Sequence, residues 1–106
     1  MIEQMTPADF IARRTAGEEL VLLDVREPRE LALAAVPGAL HIPMAQVPSR
    51  IGELDRERHV VVICHSGSRS QAVAGFLIRQ GFGRVSNLAG GITRWSREVD
   101  PSIPLY

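Results

Sequence analysis

The stretch Val60-Val61-Val62-Ile63-Cys64-His65-Ser66-Gly67-Ser68-Arg69-Ser70 decides how this 106-residue chain folds. Its first four residues are β-branched and apolar without alternation, which is typical of a strand covered on both faces. The small and polar residues over 64–69 indicate a loop. Apolar residues at helical spacing then predict a helix over Ser70–Gln80, with Gly81 at its end. The stretch therefore predicts a strand, a loop and a helix in direct succession.

The rest of the chain continues this alternation of short strands and helices. Further strands are predicted at Val21–Val25, His41–Ile42 and Val85–Leu88. Helices are predicted to begin at Thr6-Pro7 and at Pro28, to run over Gly91–Arg97, and to form weakly over Val47–Leu54. The pattern indicates an α/β domain with a mostly parallel sheet.

Length and composition narrow the functional classes. The length predicts one domain over residues 1–106. Twelve basic residues balance twelve acidic ones, which argues against nucleic acid or an anionic membrane as a partner. No apolar run approaches the ~20 residues that span a bilayer, and Met1–Gln4 lacks the pattern of a signal peptide. We therefore expect a soluble, cytoplasmic protein.

Residue types that are rare or absent exclude several chemistries. All twelve basic residues are arginines, so a Walker-type phosphate loop and a lysine Schiff base are excluded. The single cysteine excludes an internal disulfide and a C-x-x-C pair, and it suits a reducing compartment. The three histidines are scattered without ligand spacing. We expect neither a metal site nor a cofactor.

Cys64 is the main candidate for chemistry. It follows the best strand and precedes a helix, at the edge of the sheet where open α/β folds bind ligands. A short loop there turns backbone N–H groups inward, and these donors and the helix dipole favour thiolate over thiol. A lone cysteine is more often a small buried apolar residue. The polar loop that follows favours the nucleophile instead.

Four segments of the sequence resemble those of rhodanese-type sulfurtransferases. Cys64–Ser70 resembles the active-site loop of that family, in which four residues separate the cysteine from an arginine that precedes Ser or Thr. The other resemblances are carried by Leu23–Glu30, Pro37–Pro43 and the closing segment, Gly81-Phe82 with Val85–Trp95. The sequence departs at Ala34-Ala35-Val36, where the family usually has a Gly-His pair.

The resemblance implies a three-layer α/β/α domain around a five-stranded parallel sheet. It also implies a sulfurtransferase in which Cys64 takes the outer sulfur of a donor such as thiosulfate. The resulting persulfide passes its sulfur to cyanide or a thiol, with ping-pong kinetics expected. A sulfur-relay protein is a further expected partner.

The other site residues are assigned supporting roles. Gly67 closes the loop tightly, and the small Ser66 and Ser68 leave it open to an anion. Arg69 either attracts an anionic donor or, as we favour, braces the loop through a carboxylate, for which Glu30 is a candidate. Four further residues are assigned as follows: Asp24 and Arg26 either support the loop or form a strand-end ion pair, His65 either helps to bind an anion at the rim or is solvated, and Ser70 is a supporting residue.

Other residues are expected to be structural, and two alternative functions remain. His41 and His59 are assigned structural or exposed positions, Ile92 and Trp95 the core, and Gly90-Gly91 a close backbone approach to the loop. A phosphatase or arsenate reductase on the same fold would need five residues between cysteine and arginine, where this chain has four. A non-catalytic interaction module would lack the cysteine.

Overall fold

The centre of the fold is the strand predicted from Val60–Ile63, in a computed structural model that describes residues 2–106. The five strands are β1 (Glu3–Met5), β2 (Leu20–Asp24), β3 (Leu40–His41), β4 (His59–Ile63) and β5 (Val85–Leu88). They form one sheet in the order β1-β5-β4-β2-β3, and every pair is parallel. All five residues of β4 are buried, as expected for a central strand with both faces covered.

Helices cover both faces of the sheet. They are α1 (Pro7–Thr15), α2 (Pro28–Leu33), α3 (Val47–Arg50), α4 (Ser68–Arg79) and α5 (Gly91–Glu98), with 3₁₀ turns at Met44–Gln46 and Ile51–Glu53. Residues of α3 and α4 pack with Val60 and Val62 on one face, and residues of α1 and α5 pack with Val61 and Ile63 on the other. The expected three-layer architecture and five-stranded parallel sheet are confirmed. Within residues 2–106, no helix could cross a membrane.

Strand β1 is the element that the sequence pattern missed. It has three residues, and only Met5 is buried. Such a short edge strand carries no alternation or β-branched run from which it could be predicted. Its pairing with β5 nevertheless brings Gln4 opposite Asn87, which matters for the site described below.

The predicted strand bounds are off by one residue at β2 and β3. The predictions Val21–Val25 and His41–Ile42 correspond to Leu20–Asp24 and Leu40–His41. Backbone hydrogen bonds continue past the assigned ends, from the Val25 N–H to the Ile63 carbonyl and from the Ile42 N–H to the Asp24 carbonyl. The predicted and observed strands therefore differ only in the residue at which the regular hydrogen bonding between strands ends.

The helix after Cys64 begins two residues earlier than predicted. Helix α4 starts at Ser68 and ends at Arg79, so Ser68 and Arg69 lie in its first turn and not in the loop. Gly67 precedes the helix with a φ of 115°, a left-handed conformation that glycine adopts without steric cost. This backbone angle turns the chain directly into the helix, which shortens the loop to residues 64–67.

The predicted start of α1 and the core positions of Ile92 and Trp95 are confirmed, whereas the weak helix predicted over Val47–Leu54 is divided into α3 and a 3₁₀ turn. The Thr6 side chain accepts a hydrogen bond from the Asp9 N–H at 3.0 Å and caps α1. Ile92 and Trp95 are buried, and the Trp95 ring meets Phe10 edge-on with centroids 5.4 Å apart.

Candidate functional site

Cys64 is the buried centre of the candidate site. It follows β4 directly, at the carboxyl edge of the sheet, and is 1% exposed. The N-terminus of α4 begins four residues later, so the positive end of the helix dipole lies beside the sulfur. The location matches the edge at which open parallel sheets bind ligands.

Groups that can donate hydrogen bonds surround the Cys64 sulfur. The Gly67 N–H donates to Sγ at 3.1 Å, and Ser70 Oγ lies 3.2 Å from Sγ. Burial is the largest influence on the pKa of Cys64 and raises it. The Ser70 hydroxyl and the backbone N–H groups of Ser70, Gly67 and Ser66 together outweigh burial, and the pKa lies below its ordinary value. The loop therefore favours a thiolate.

The start of α5 holds the loop carbonyls outward. The Ile92 N–H donates to the Cys64 carbonyl at 2.9 Å, and the Thr93 N–H donates to the His65 carbonyl at 3.2 Å. Gly91 has a φ of 61°, and a Cβ placed there would lie 2.4 Å from the His65 carbonyl oxygen. This explains the close backbone approach expected of Gly90-Gly91. With these two carbonyls held by α5, the N–H groups that follow are free to face the sulfur.

Asn87 on β5 supports the loop through two side-chain hydrogen bonds. Its Nδ2 donates to the Gly67 carbonyl at 3.2 Å, and its Oδ1 accepts a short hydrogen bond from Ser70 Oγ. Both Ser70 and Asn87 are buried. Sequence reasoning assigned Asn87 no role, although two adjacent polar residues, Ser86 and Asn87, in a strand of four are an unusual feature that could have drawn attention to it.

Arg69 braces α4 against α2. Its two terminal nitrogens donate to the two carboxylate oxygens of Glu30 at 2.7 and 2.9 Å. These hydrogen bonds are the largest influence on both groups, so the pKa of Glu30 is lowered well below its usual value and that of Arg69 is raised. The geometry is the carboxylate brace that we favoured for Arg69.

Asp24 and Arg26 form a buried ion pair behind this brace. Arg26 Nη2 lies 2.7 Å from Asp24 Oδ2, and both side chains are almost completely buried. Arg26 also donates to the Ala34 carbonyl at 2.8 Å, within the segment where the sequence departs from the family pattern. The ion pair is thus present, and Arg26 also donates to Tyr106, whose ring stacks on the loop residue His65.

Tyr106 joins the loop to this network. Its ring stacks on His65 with centroids 4.2 Å apart, its hydroxyl donates to Glu30 at 2.7 Å, and it accepts from Arg26 at 2.9 Å. His65 is half-buried, and Ser66 and Ser68 are exposed on the outer side of the loop. Nothing in the sequence pattern pointed to Tyr106, which lies 41 residues beyond His65.

The family follows from the comparison of the whole sequence with known families. The model of the rhodanese-like domain matches residues 6–98. The chain belongs to the rhodanese-like domain family. A protein of Allochromatium vinosum named sulfurtransferase is 38% identical to this rhodanese-like domain over 103 residues, which are 97% of this chain and 96% of that protein.

Another relative and a solved structure agree with this assignment. A Stutzerimonas stutzeri protein named thiosulfate sulfurtransferase GlpE is 33% identical over 100 residues, which are 94% of this chain and 89% of that protein. The crystal structure of a rhodanese-related protein from Thermoplasma volcanium superposes with a TM-score of 0.84 at 31% identity, covering 98% of this chain and 99% of that one. The similarity extends over nearly the full length in each case.

In this rhodanese-like domain, the predicted site residues lie at the carboxyl end of the sheet. The loop and the first turn of α4 supply backbone N–H groups to the sulfur, and Glu30 and the Asp24–Arg26 pair are linked to them through Arg69 and Tyr106. His41 and His59 have structural contacts instead: His41 Nε2 is 2.7 Å from the Arg26 carbonyl, and His59 is buried at the opposite end of β4. Among residues 2–106 there is no cluster of three or more His, Cys, Asp or Glu that could hold a metal ion.

Proposed function

We propose that this rhodanese-like domain is a sulfurtransferase that carries sulfane sulfur as a persulfide on Cys64. The observation that supports the proposal most strongly is the convergence of the Gly67 N–H and Ser70 Oγ on a buried sulfur at a helix N-terminus. Such donors stabilise an anionic sulfur without a charged side chain. The sulfurtransferase names of the two relatives support the same general activity.

The proposed reaction has two steps that balance. The Cys64 thiolate attacks the outer sulfur of thiosulfate, the S–S bond of thiosulfate breaks, and sulfite leaves with the bonding electron pair. Cyanide or a thiolate acceptor then attacks the outer sulfur of the Cys64 persulfide. The persulfide bond breaks, thiocyanate or a new persulfide leaves, and the Cys64 thiolate is regenerated. The sulfur donor and acceptor balance each other's electrons, so the cycle needs no external oxidant or reductant.

The loop supports sulfur transfer over phosphate hydrolysis. Four residues separate Cys64 from Arg69, and both terminal nitrogens of Arg69 are engaged by Glu30. A phosphatase on this fold would use a longer loop and an arginine that faces the bound oxyanion. We infer that Arg69 braces the loop and that the backbone N–H groups bind the transferred sulfur.

Steady-state kinetics test this proposal. Initial rates of thiocyanate formation from thiosulfate and cyanide should give parallel double-reciprocal lines, as expected for a ping-pong mechanism. Cys64→Ser should abolish the activity while its thermal unfolding stays close to that of the wild type. Retained activity in Cys64→Ser would contradict the mechanism, and faster hydrolysis of aryl phosphates than sulfur transfer would favour the phosphatase.

The sulfur acceptor inside a cell is proposed to be a thiol, either a small molecule or a cysteine of a relay protein. The outer face of the loop carries the exposed Ser66 and Ser68, and we expect a partner thiol to approach the outer sulfur of the persulfide from that side. Transfer from the persulfide form to a thiol, followed by mass spectrometry of the acceptor, would identify the acceptor class.

A further inference from the structure

A chain of side-chain hydrogen bonds runs from the Cys64 sulfur to the protein surface. Ser70 Oγ lies 3.2 Å from the sulfur and donates to Asn87 Oδ1. Asn87 Nδ2 donates to Gln4 Oε1 at 3.0 Å, and Gln4 Nε2 donates to Gln71 Oε1 at 2.7 Å. In each of these hydrogen bonds the donor residue lies nearer to the sulfur than its acceptor does. Ser70 Oγ therefore receives a hydrogen bond within this series only when the Cys64 thiol donates to it.

The orientation of Asn87 fixes the direction of this chain. Its Nδ2 has two hydrogens and lies beside two acceptors, the Gly67 carbonyl at 3.2 Å and Gln4 Oε1. A flipped amide would place an oxygen against the Gly67 carbonyl, which is unfavourable because neither atom carries a hydrogen. Asn87 Oδ1 must therefore face Ser70.

Ser70 has one hydroxyl hydrogen and two neighbours that can accept it. When Cys64 is a thiol, the hydrogen points to Asn87 and the thiol donates to Ser70. When Cys64 is a thiolate, the sulfur is an acceptor only, and the hydrogen must turn towards it. Asn87 Oδ1 then loses its donor in a buried position, which opposes formation of the thiolate.

We propose that Asn87 is a positioning residue that competes with Cys64 for the Ser70 hydrogen and thereby limits the acidity of the cysteine. Ionisation of Cys64 releases its proton to solvent and rotates the Ser70 hydroxyl from Asn87 to the sulfur. When the persulfide forms, negative charge moves to the outer sulfur, and the Ser70 hydrogen returns to Asn87. The competition therefore favours the persulfide over the free thiolate, which makes Cys64 a stronger nucleophile.

The proposal rests on Cys64 being the reactive group of the proposed function, but its test does not need sulfur transfer. The charged and titratable groups around Cys64 are His65 in the loop, Arg69 on α4, Glu30 with the Asp24–Arg26 pair from the β2–α2 side, and Tyr106, which stacks on His65. All of them remain in the variants used below. A protein that transfers no sulfur would still reveal the competition through the ionisation of its thiol.

The test is a double-mutant cycle read by the pH dependence of iodoacetamide alkylation of Cys64. Ser70→Ala removes a donor to the thiolate and should raise the alkylation pKa. Asn87→Ala should lower it by about half a unit or more, which is about a threefold larger thiolate fraction at low pH. In the Ser70→Ala background, Asn87→Ala should leave the pKa unchanged, because no hydrogen remains to compete for.

A purely structural role of Asn87 gives the opposite pattern. If Asn87 only held the Gly67 carbonyl, its loss would loosen the loop and raise the pKa, with or without Ser70. A higher pKa in Asn87→Ala, or an equal shift in both backgrounds, would overturn the proposal.

A second measurement needs no change at Asn87 and covers the case in which Asn87→Ala does not fold. The infrared S–H stretch of Cys64 at acid pH should be lower in the wild type than in Ser70→Ala, because the wild-type thiol donates to Ser70. An S–H band at the same frequency in both proteins would show that Ser70 donates to the thiol instead, and would overturn the proposal.

Discussion

Strand β5 contributes one residue to each of two buried hydrogen-bond networks, and the two networks differ in their chemistry. Asn87 faces the Cys64 side of the sheet, and its neighbour Ser86 faces the other side, where Ser86 Oγ lies 2.7 Å from His59 Nε2 and donates to Glu3. Each network therefore has a buried serine next to a titratable side chain. A cleft of about 750 Å³ is lined by His59 and Glu3 and does not include Cys64.

The difference between the two networks is the backbone around the titratable group. At Cys64 a loop and a helix N-terminus aim N–H groups at the atom, and they lower the pKa of the thiol in spite of its burial. At His59 burial is the largest influence, and it lowers the pKa of the imidazole and so favours its neutral form. A buried titratable group becomes an anionic nucleophile only where the backbone supplies donors to the charge.

The largest effect is expected from adding a side chain at the point where α5 contacts the Cys64 loop. In Gly91→Ala the new Cβ would lie 2.4 Å from a backbone oxygen of His65, so the loop must move. We expect sulfurtransferase activity to fall by more than tenfold, since a displacement of about 1 Å in a reactive geometry costs about 100-fold.

Gly38→Ala is the matched control for this change. Gly38 also has a left-handed φ, of 82°, but a Cβ there meets no atom within 4 Å. Both variants should lose roughly 1–2 kcal/mol of stability from the backbone conformation, while Gly38→Ala keeps its activity. Equal activity in the two variants would show that the approach of α5 does not shape the site.

A smaller effect is expected from removing the charge of the brace. Glu30→Gln breaks a charge-assisted pair whose carboxylate side chain is 11% exposed, and should lower the free energy of unfolding by about 1–3 kcal/mol. Glu19→Gln affects a pair with Arg58 whose carboxylate side chain is 77% exposed, and should cost at most about 1 kcal/mol. Urea unfolding measures both. A cost at Glu30 no larger than that at Glu19 would argue against the brace.

The contacts around Cys64 differ in whether they could be predicted from the sequence. The strand, loop and helix around Cys64 follow from local patterns, and Glu30, in the helix predicted to begin at Pro28, was already a candidate partner for an arginine. Asn87 and Tyr106 could not be assigned, because their partners lie far away in the sequence and depend on sheet order. Strand β1 and its Gln4 were missed for the same reason, since only pairing with β5 defines them.

The smallest effect concerns the pH dependence of stability at the His59 end. The unfolded chain binds a proton at His59 near pH ~6.5, whereas the folded protein binds it only at lower pH because burial lowers the pKa. The free energy of unfolding should therefore fall as the pH drops below about 6.5. His59→Gln should reduce the difference in urea midpoint between pH 7.5 and 5.5. An unchanged difference would show that His59 titrates alike in both states.

The central claim, that the Cys64 loop forms and holds a persulfide, is tested most directly by intact mass. After incubation with thiosulfate and removal of the excess, the wild-type protein should gain the mass of one sulfur atom and lose it again on addition of cyanide. Cys64→Ser should gain nothing, whereas His59→Gln should behave as the wild type does. A wild-type mass that stays unchanged, or an added sulfur that persists in Cys64→Ser, would contradict the account.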